Sequence, residues 1–478
     1  MLVRQEGKVG GPDQYYIDDL DLAAGKPLGM SALPRGKKVL AVSAQFGLVV
    51  WKDGELASDD KRIGVGRIRG AQLEVIAEFT PPFPGRELPD AFSSVDTAWI
   101  VGPTHVMVAG FHQRSPVIWD VSNLSAVCQI PRERGGRSNS IALSPNGQLA
   151  ACATDGGIAI LDLHAGTHVA TLAFDSFSPN GIAFNDNNTR LAAQDHGHVL
   201  IFDLTTGKQL SKFQHKTMFG NAPCSWVGDF LLHRNKYIYD HYHRVLLWEL
   251  EGIEWHQGTS IAGAGLIATV QHSRHDDGPV YFETAPMPTQ AMVNLAESLG
   301  DPESLVIARP GEKIAVDLEI DPSVANQEDV YRQVVENLKE VGLEVVDEEV
   351  PLVLKGYCRQ KPAETIRIRM QGGFGRLGRQ EQEIIERTII PHPTYLSISY
   401  QGTEVWRSGT SGEPGGVILT QEGETIDQAL QRLTTPKIEL ITKAHIQLPL
   451  IRPGTATANG AYGTSTLSGG KTTPKGRF

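Results

Sequence analysis

Two neighbouring stretches of the chain are copies of one another, and they decide the fold. Residues 139–172 read NSIALSPNGQLAACATDGGIAILDLHAGTHVATL, and residues 180–213 read NGIAFNDNNTRLAAQDHGHVLIFDLTTGKQLSKF. Ile141 and Ile182, like Asp162 and Asp203, are 41 positions apart. In each copy, short apolar runs alternate with turn signals such as Pro-Asn-Gly and Asp-Gly-Gly, a pattern typical of short antiparallel strands. Each copy therefore predicts three or four strands joined by tight turns.

A four-stranded unit of this length cannot bury both faces alone, whereas copies stacked radially cover those faces and form a β-propeller. Further copies centre on residues 39–51, 99–121, 226–250 and 266–282. The stretch DLDLAAGKPLGMSAL near the N-terminus matches only the final strand of a copy. Either residues 17–22 complete the blade begun by residues 266–282, giving about six blades, or the chain is a truncated seven-bladed propeller. Both alternatives stay open.

The stretch ATDGGIAILDLHAGTHVATL resembles the second half of a WD-repeat, which ends in a strand and a Trp-Asp pair. Trp119-Asp120 keeps that pair, and the degenerate versions are Leu161-Asp162, Phe202-Asp203 and Trp248-Glu249. The Gly-His opening of the family is missing. The resemblance implies a degenerate WD-repeat (WD40-like) β-propeller over residues 1–287, without the family's Asp-His-Ser/Thr-Trp hydrogen-bond network.

The pattern changes after residue 287, where helical and strand-like segments alternate. PTQAMVNLAESLG predicts a helical linker over residues 288–312, and Val330, Val334, Leu338 and Val341 lie on one face of a second helix. A third helix is predicted for ETIDQALQRL. Strands are predicted at residues 313–320, 352–358, 365–370, 395–400, 405–409 and 438–448. Residues 313–450 thus predict an α+β sandwich domain with helices on one face of a mostly antiparallel sheet.

The final residues, 451–478, are rich in Gly, Thr and Ser and predict a disordered tail. The combination of a degenerate propeller, YQGTEVWRSGTSGEPGGVILTQEGETIDQAL and the tail resembles certain large bacterial proteins of unknown function. That resemblance implies a scaffold-like or envelope-associated role and assigns no functional residues.

Composition excludes several classes. The net charge of −11 argues against a general nucleic-acid binder, and no stretch has the length of apolar residues that a membrane span needs. The first residues lack the apolar core of a signal peptide, so the chain as written is expected in the cytoplasm. An N-terminal truncation would instead allow a periplasmic or secreted protein. Buried free thiols are predicted for Cys128, Cys152, Cys224 and Cys358.

Two short motifs are interpreted as accidental. Gly373, Gly375 and Gly378 match the G-x-G-x-x-G spacing of nucleotide-binding loops, but Arg367 and Arg369 alternate along the strand before them. That alternation indicates a strand with one solvated face, so a hairpin or connecting loop is predicted there. Ser411 in GTSGEPG misses the nucleophile-elbow pattern by one residue, and a turn is predicted.

Histidines and aspartates cluster in the turns of successive copies, between the second and third strands of each. If these turns align, they line one arc of a single propeller face, and they hold six of the fifteen histidines. The residues are Asp195, His196, His198, Asp240, His241, His243, His272, His275, Asp276 and Asp277. Three interpretations stay open: unrelated solvated turns, a pH-dependent partner surface, or a metal site, since imidazole and carboxylate ligate borderline metals.

No acid–base pair, nucleophile or firm metal motif stands out in the sequence, so no catalytic residue and no cofactor is predicted. The favoured hypothesis is a non-enzymatic protein-interaction scaffold with a protein partner and a C-terminal docking or anchoring domain. The alternative is a metal-dependent propeller enzyme that uses the His/Asp-rich face.

Overall fold

The chain folds into two compact units. Unit 1 comprises Met1–Gly300 and Gly454–Phe478, and unit 2 comprises Asp301–Pro453, so unit 2 is an insertion in the sequence of unit 1. A computed structural model describes residues 2–6, 14–21, 26–34, 36–43, 45–53, 62–69, 72–81, 95–110, 116–129, 141–154, 156–174, 181–194, 198–214, 224–234, 236–251, 259–262, 265–270, 281–369, 384–412, 424–444, 446, 448–468 and 471–475.

In its described residues, unit 1 contains seven small sheets whose successive strands pair antiparallel. The first sheet is formed by β1 (Leu2–Glu6), β2 (Gln14–Asp21) and β3 (Lys26–Ala32). The second holds β4 (Lys37–Ser43), β5 (Leu48–Asp53), β6 (Ile63–Arg69) and β7 (Gln72–Phe79). The third holds β8 (Val95–Ile100), β9 (His105–Gly110), β10 (Val117–Asp120) and β11 (Ser125–Gln129).

The two sequence copies form the next two sheets, as predicted. They comprise β12 (Ile141–Leu143), β13 (Leu149–Thr154), β14 (Gly157–Asp162) and β15 (Thr167–Leu172), then β16 (Gly181–Phe184), β17 (Arg190–Gln194), β18 (His198–Asp203) and β19 (Gln209–Gln214). The sixth sheet holds β20 (Cys224–Val227), β21 (Phe230–His233), β22 (Tyr237–Asp240) and β23 (Val245–Glu251). The seventh holds β24 (Thr259–Ala262), β25 (Gly265–Val270) and β26 (Tyr281–Pro286). The prediction of a mainly β chain with four-stranded antiparallel sheets is confirmed.

Apolar clusters join each of the first five sheets to the next one along the chain. Ile17 of the first sheet packs with Trp51 of the second, and Val65 of the second packs with Trp119 of the third. The fourth and fifth sheets bury Ile158 and Phe202 in one cluster. First strands of neighbouring sheets lie side by side, as seen for β4 and β8, β12 and β16, and β16 and β20. The second to fifth sheets therefore each bury both faces by stacking against their neighbours.

The N-terminal strand does not pair as predicted. In one of the two alternatives, residues 17–22 complete the sheet that contains residues 266–282, but β2 lies between β1 and β3. Ile17 is opposite Val3 on one side and Ser31 on the other. The expected closure is wrong for this segment because local hairpins satisfy both edges of β2.

The predicted helical linker, residues 288–312, is divided between the units, and its helix belongs to unit 1. Its helix, α1 (Gln290–Ser298), begins at Thr289, whose side chain accepts a hydrogen bond from the backbone of Met292. Met292 and Ala296 are buried against Leu247 and Trp248 of β23. Residues 288–300 are therefore a packed part of unit 1 and not a linker, because the apolar face of α1 covers the sixth sheet.

Unit 2 is built around a five-stranded sheet in the order β29-β28-β30-β33-β34. A 3-10 turn at Pro302–Leu305 precedes its elements, which are β27 (Val306–Ala308), β28 (Lys313–Ile320), α2 (Gln327–Glu340), β29 (Glu344–Val345), β30 (Leu352–Cys358), β31 (Glu364–Arg369), β32 (Ile384–Ile389), β33 (Thr394–Tyr400), β34 (Thr403–Thr410), α3 (Ile426–Thr434), α4 (Glu439–Thr442) and β35 (Leu450–Ile451). The predicted helix face of Val330, Val334 and Leu338 is buried on this sheet.

The sheet of unit 2 is mixed, because β28 pairs parallel with both β29 and β30 whereas β30, β33 and β34 pair antiparallel. One expectation for unit 2 is wrong. The predicted strand at residues 438–448 contains the short helix α4, whose Ile441 is buried in the same core as α2. A short apolar run fits either state, and here the core selects the helix.

The predicted disordered tail is ordered over much of its length. It forms β36 (Gly463–Ser468) and β37 (Lys471–Lys475). β36 pairs parallel with β23, and β37 pairs antiparallel with β36, so the sixth sheet has six strands. A Gly/Thr/Ser-rich segment lacks its own core, but an existing strand edge supplies backbone hydrogen bonds that composition does not reveal. Among the described residues, no helix is long and apolar enough to cross a membrane.

Candidate functional site

The predicted histidine and aspartate arc is only partly within the described residues. Asp195, His196, His272, His275, Asp276 and Asp277 lie outside them. His198, Asp240, His241 and His243 lie inside. The positions of these four residues do not fit the predicted arc.

The described members of the arc lie at opposite ends of their sheets. His198 begins β18, just after the turn that joins the second and third strands of the fifth sheet. Asp240, His241 and His243 belong to the turn between β22 and β23, the third and fourth strands of the sixth sheet. In an antiparallel sheet, consecutive turns alternate between the two ends. The prediction that these turns align on one face is therefore wrong.

The error arose from treating Trp248-Glu249 as the counterpart of Trp119-Asp120. Trp248 and Glu249 lie in β23, a fourth strand, whereas Trp119 and Asp120 end β10, a third strand. The true counterpart is Tyr239-Asp240 at the end of β22.

The third-strand aspartates share one local role, which is to accept backbone hydrogen bonds from the turn that follows. Asp162 accepts from the N–H groups of His164 and Ala165, each at 2.8 Å. Asp203 does the same with Thr205 and Thr206. The N–H of Ala165, followed by that of His164, holds the pKa of Asp162 below its ordinary value. These carboxylates are turn-forming groups and not free ligands.

His243 is buried and uses both ring nitrogens. Its Nδ1 lies 2.5 Å from Oδ2 of Asp240, and its Nε2 lies 3.0 Å from the carbonyl oxygen of Gly300. Asp240 also accepts from the backbone of Tyr242 at 2.8 Å. The ring therefore joins the β22–β23 turn to the segment after α1, which is a structural role.

His241 has different partners. Arg190 donates from Nη1 to Nε2 of His241 at 2.9 Å, and Arg190 also lies 3.3 Å from a carboxylate oxygen of Asp229. The edge of Trp226 contacts the imidazole, with ring centroids 5.6 Å apart. Burial, and then the nearby Arg190 guanidinium, lower the pKa of His241 below its ordinary value. The ring is thus held as a neutral acceptor.

No metal centre results from these contacts. The rings of His241 and His243 contact different groups, and the part of the chain that the structure describes has no cluster of three His, Cys, Asp or Glu residues able to hold an ion. The metal interpretation therefore has no support from the described members of the arc.

Where the other sequence candidates lie within the described residues, they have structural positions and form no site. The glycines at 373, 375 and 378 lie outside the described residues, but the strand before them, β31, pairs antiparallel with β32, as in a hairpin. Ser411 directly follows β34. Cys152, Cys224 and Cys358 are buried and Cys128 is half-buried, and none of these four forms a disulfide bond. Burial raises the pKa of Cys224 to about 12, which makes it a poor nucleophile.

A feature that sequence reasoning missed lies on the last strand of each of the first six sheets. We call these strands, β3, β7, β11, β15, β19 and β23, the edge strands. In each one the pairing register with the preceding strand shifts by one residue, which is a β-bulge. The residue skipped at the bulge is aliphatic in every case, and the six are Leu28, Ile76, Val127, Val169, Leu210 and Leu247.

These equivalent residues differ sharply in exposure. Val127 is 41% exposed, Val169 58% and Leu210 45%, whereas Leu247 is fully buried. Leu247 packs with Met292 and Ala296 of α1. The chain therefore covers this position on β23 with its own segment and leaves it bare on β11, β15 and β19.

The edge strands also differ in charge. β7 carries Glu74 and Glu78, and β19 carries Lys212. β11 reads SAVCQ and β15 reads THVATL, without Lys, Arg, Asp, Glu or Pro. Proteins commonly protect an exposed strand edge with charges or proline, so an unprotected edge is suited to pairing with another strand.

The β23 edge shows how the chain fills such a site. Thr464 donates from its hydroxyl to the carbonyl oxygen of Glu249 at 2.9 Å, and the Trp248 indole donates to the hydroxyl of Ser465 at 2.9 Å. The Asn459 amide donates to both carboxylate oxygens of Glu249, at 3.0 and 3.1 Å. Lys236 lies 2.9 Å from the same carboxylate. Backbone hydrogen bonds thus hold β36 on β23, and a few side chains fix its register.

Unit 2 has a separate surface feature, an aromatic column on its five-stranded sheet. Tyr357 of β30 and Tyr395 of β33 stack with ring centroids 5.2 Å apart, and the Arg407 guanidinium lies 4.0 Å from the centre of the Tyr395 ring. Half-buried aromatic rings with a cation are typical of contact surfaces. This column is the best-defined candidate contact on unit 2.

No protein-family model matches the chain.

Proposed function

We propose that the chain is a non-enzymatic protein-interaction scaffold, and that unit 1 is a degenerate WD-repeat β-propeller. The propeller is supported by the consecutive stacking of four-stranded sheets with neighbouring first strands. The shared turn geometry after Asp120, Asp162, Asp203 and Asp240 gives independent support. Seven sheets in the described residues favour the seven-bladed alternative over six blades.

The observation that carries the proposed function is the contrast between β23 and its neighbours. The same aliphatic bulge is covered on β23 and bare on β11 and β15, the two edge strands without a charged residue. Exposed apolar side chains on an unprotected strand edge mark an interaction surface. We assign the partner-binding surface to these two edge strands and a second docking role to the Tyr357–Tyr395–Arg407 column.

The test uses affinity capture from the cells that make the protein, with quantitative mass spectrometry as the readout. The bait is the full chain as wild type, as the double variant Val127→Lys/Val169→Lys, and as the control Val75→Lys. Val75 is comparably exposed on β7, but that strand already carries two glutamates.

We expect a partner bound by wild type and by the control, and its recovery by the double variant reduced about tenfold. A chain that retains no partner in any form, or a partner bound equally by all three baits, would contradict this assignment.

A further inference from the structure

We infer that the edge of β15 accepts an extended segment of a partner protein as a parallel fifth strand. This inference rests on the proposed function and specifies the kind of partner. The model for it is β36, which lies on β23, the equivalent strand of the sixth sheet, in parallel register. Strand addition of this kind uses backbone hydrogen bonds for affinity and side-chain pockets for specificity.

The shared bulge fixes which residues of the two edge strands correspond. Leu247 is the bulged residue of β23, and β36 begins to pair directly after it, with Gly463 opposite Trp248. Val169 is the bulged residue of β15, so Ala170 corresponds to Trp248 and Leu172 to Leu250. The correspondence holds for burial too, because Leu172 and Leu250 are both buried in their clusters. A partner strand is therefore expected to begin pairing at Ala170.

The side chains at that first position set the specificity. On β23 the Trp248 ring fills the space, and a β-carbon built on Gly463 would lie 2.4 Å from Cε3 of Trp248. On β15 the corresponding residue is Ala170, which is small and half-buried. The β23 edge therefore requires glycine opposite Trp248, whereas the methyl group of Ala170 on β15 does not exclude a large apolar side chain in the way that the indole ring does. The partner segment is accordingly extended and uncharged, with a large apolar residue opposite Ala170.

Charge supports β15 as the acceptor. A strand with no charged residue imposes no repulsion and no desolvation cost on an uncharged segment. Its six residues provide a longer edge than the five of β11. On β19, Lys212 occupies the position that corresponds to Glu249, next to the first pairing residue.

Two synthetic peptides test the inference with the full-length chain. The first, NGAYGTSTLS, copies residues 459–468, and the second, NGAYLTSTLS, replaces its central glycine by leucine. Only the leucine peptide is excluded from the β23 edge by Trp248, so it reports on β15 without competing with the tail. Hydrogen–deuterium exchange of the β15 amides is measured with and without each peptide at millimolar concentration.

We expect the leucine peptide to slow exchange in Thr167–Leu172 about tenfold at a concentration about ten times its Kd. Ala170→Trp makes β15 resemble β23, so this variant is expected to lose the leucine peptide and to gain the glycine peptide. Unchanged exchange in β12–β14 serves as the folding control for the variant. Val75→Lys, on β7, is the matched surface control and is expected to bind like wild type.

The inference is overturned if neither peptide protects β15, or if Ala170→Trp leaves the preference between the peptides unchanged. It is also overturned if the chain forms a concentration-dependent dimer that Val169→Lys abolishes, because a second copy then covers the edge. These outcomes can be distinguished from failure of the proposed scaffold function. If the peptides did not bind but a partner were captured by wild type and lost by the double variant, the scaffold function would still be supported.

Discussion

Gly463 lies directly against the indole ring of Trp248, so closely that a β-carbon on Gly463 would be 2.4 Å from two of the ring carbons. The two residues are partners in the parallel register of β36 and β23. An aromatic ring that is itself buried cannot move aside easily, so we expect this contact to decide which residue the C-terminal tail can place opposite Trp248.

The first prediction is that Gly463→Ala weakens tail docking. The added carbon must displace either the ring or β36, which we expect to cost about 1–3 kcal/mol. Exchange of the β36 amides should accelerate, and a protease should cut the tail sooner. Gly156→Ala is the matched control because a β-carbon there meets no atom within 4 Å. Equal effects of the two substitutions would show that the ring contact does not hold the tail.

The second prediction concerns the buried carboxylate that binds the tail. Burial raises the pKa of Glu249, but hydrogen bonds from Lys236, Thr457 and Asn459 outweigh burial and bring the pKa below its ordinary value. Because the folded pKa is the lower one, Glu249 contributes stability above the unfolded value of 4.5, and this contribution is lost as the pH falls through the folded pKa. Glu249→Gln should therefore destabilise most at neutral pH.

The measurement is the midpoint of urea unfolding, monitored by tryptophan fluorescence at several pH values from pH 7 down to acidic pH. At neutral pH we expect a loss of about 1–3 kcal/mol for Glu249→Gln, because a buried hydrogen-bonded charge is replaced by an amide. The difference from wild type should shrink as the pH falls below about 4.5. Glu74→Gln on β7 breaks only an exposed ion pair and should change stability little. A pH-independent loss for the Glu249 variant would contradict the charged role of this group.

The third prediction is an acid sensitivity that depends on His241. Burial and Arg190 lower its pKa in the folded chain below the ordinary value of 6.5. The unfolded chain therefore takes up the proton first, and stability decreases as the pH falls below about 6.5. His241→Gln keeps an acceptor for Arg190 but cannot be protonated, so its stability curve should be flatter between pH 7 and pH 5.

Urea midpoints at several pH values check this expectation. The control is His164→Gln, in the exposed turn between β14 and β15. If both variants follow the wild-type curve, or if both flatten it equally, His241 is not the group responsible.

The sheets were predictable because the repeat is clear in the sequence. The position of the candidate site, in contrast, depended on how the weakly similar copy at residues 226–250 was aligned with the others. Residues 139–172 and 180–213 match so closely that their strands could be placed from turn residues alone. In the sixth sheet, Trp248-Glu249 resembles a Trp-Asp pair in sequence, but Tyr239-Asp240 has its structural role, because Asp240 accepts a backbone hydrogen bond from the turn. Composition cannot separate the two, because both are an aromatic residue followed by an acid. The error moved His241 and His243 to the wrong end of their sheet.

The tail was mispredicted for a different reason, since its order depends on contacts distant in sequence. Ser465 and Trp248 are 217 residues apart, and no pattern in GTSTLSGGKTTPK indicates the strand with which it pairs. The bare edges, in contrast, had a usable signal. Val169 and Leu210 occupy the same place in the two clearest copies, and an aliphatic residue repeated in an otherwise polar edge strand indicates an exposed apolar position.

The last prediction concerns backbone strain at the turns between third and fourth strands. Leu124 ends the turn before β11 with φ of 58°, where the equivalent residue before β19 is Gly207 with φ of 69°. A side chain in this left-handed region costs about 1–2 kcal/mol, and glycine avoids that cost. Part of the gain is lost again, because glycine increases the conformational entropy of the unfolded chain. Leu124→Gly should therefore stabilise the protein by about 0.5–1 kcal/mol.

The reverse exchange, Gly207→Leu, isolates the backbone effect because no atom lies within 4 Å of a β-carbon built there. It should destabilise by about 1–2 kcal/mol. Opposite shifts of the urea midpoint in the two variants are the expected result. If Leu124→Gly instead destabilises by as much as Gly207→Leu, contacts of the half-exposed leucine outweigh its strain, and Leu124 must be counted as a packed residue of the third sheet.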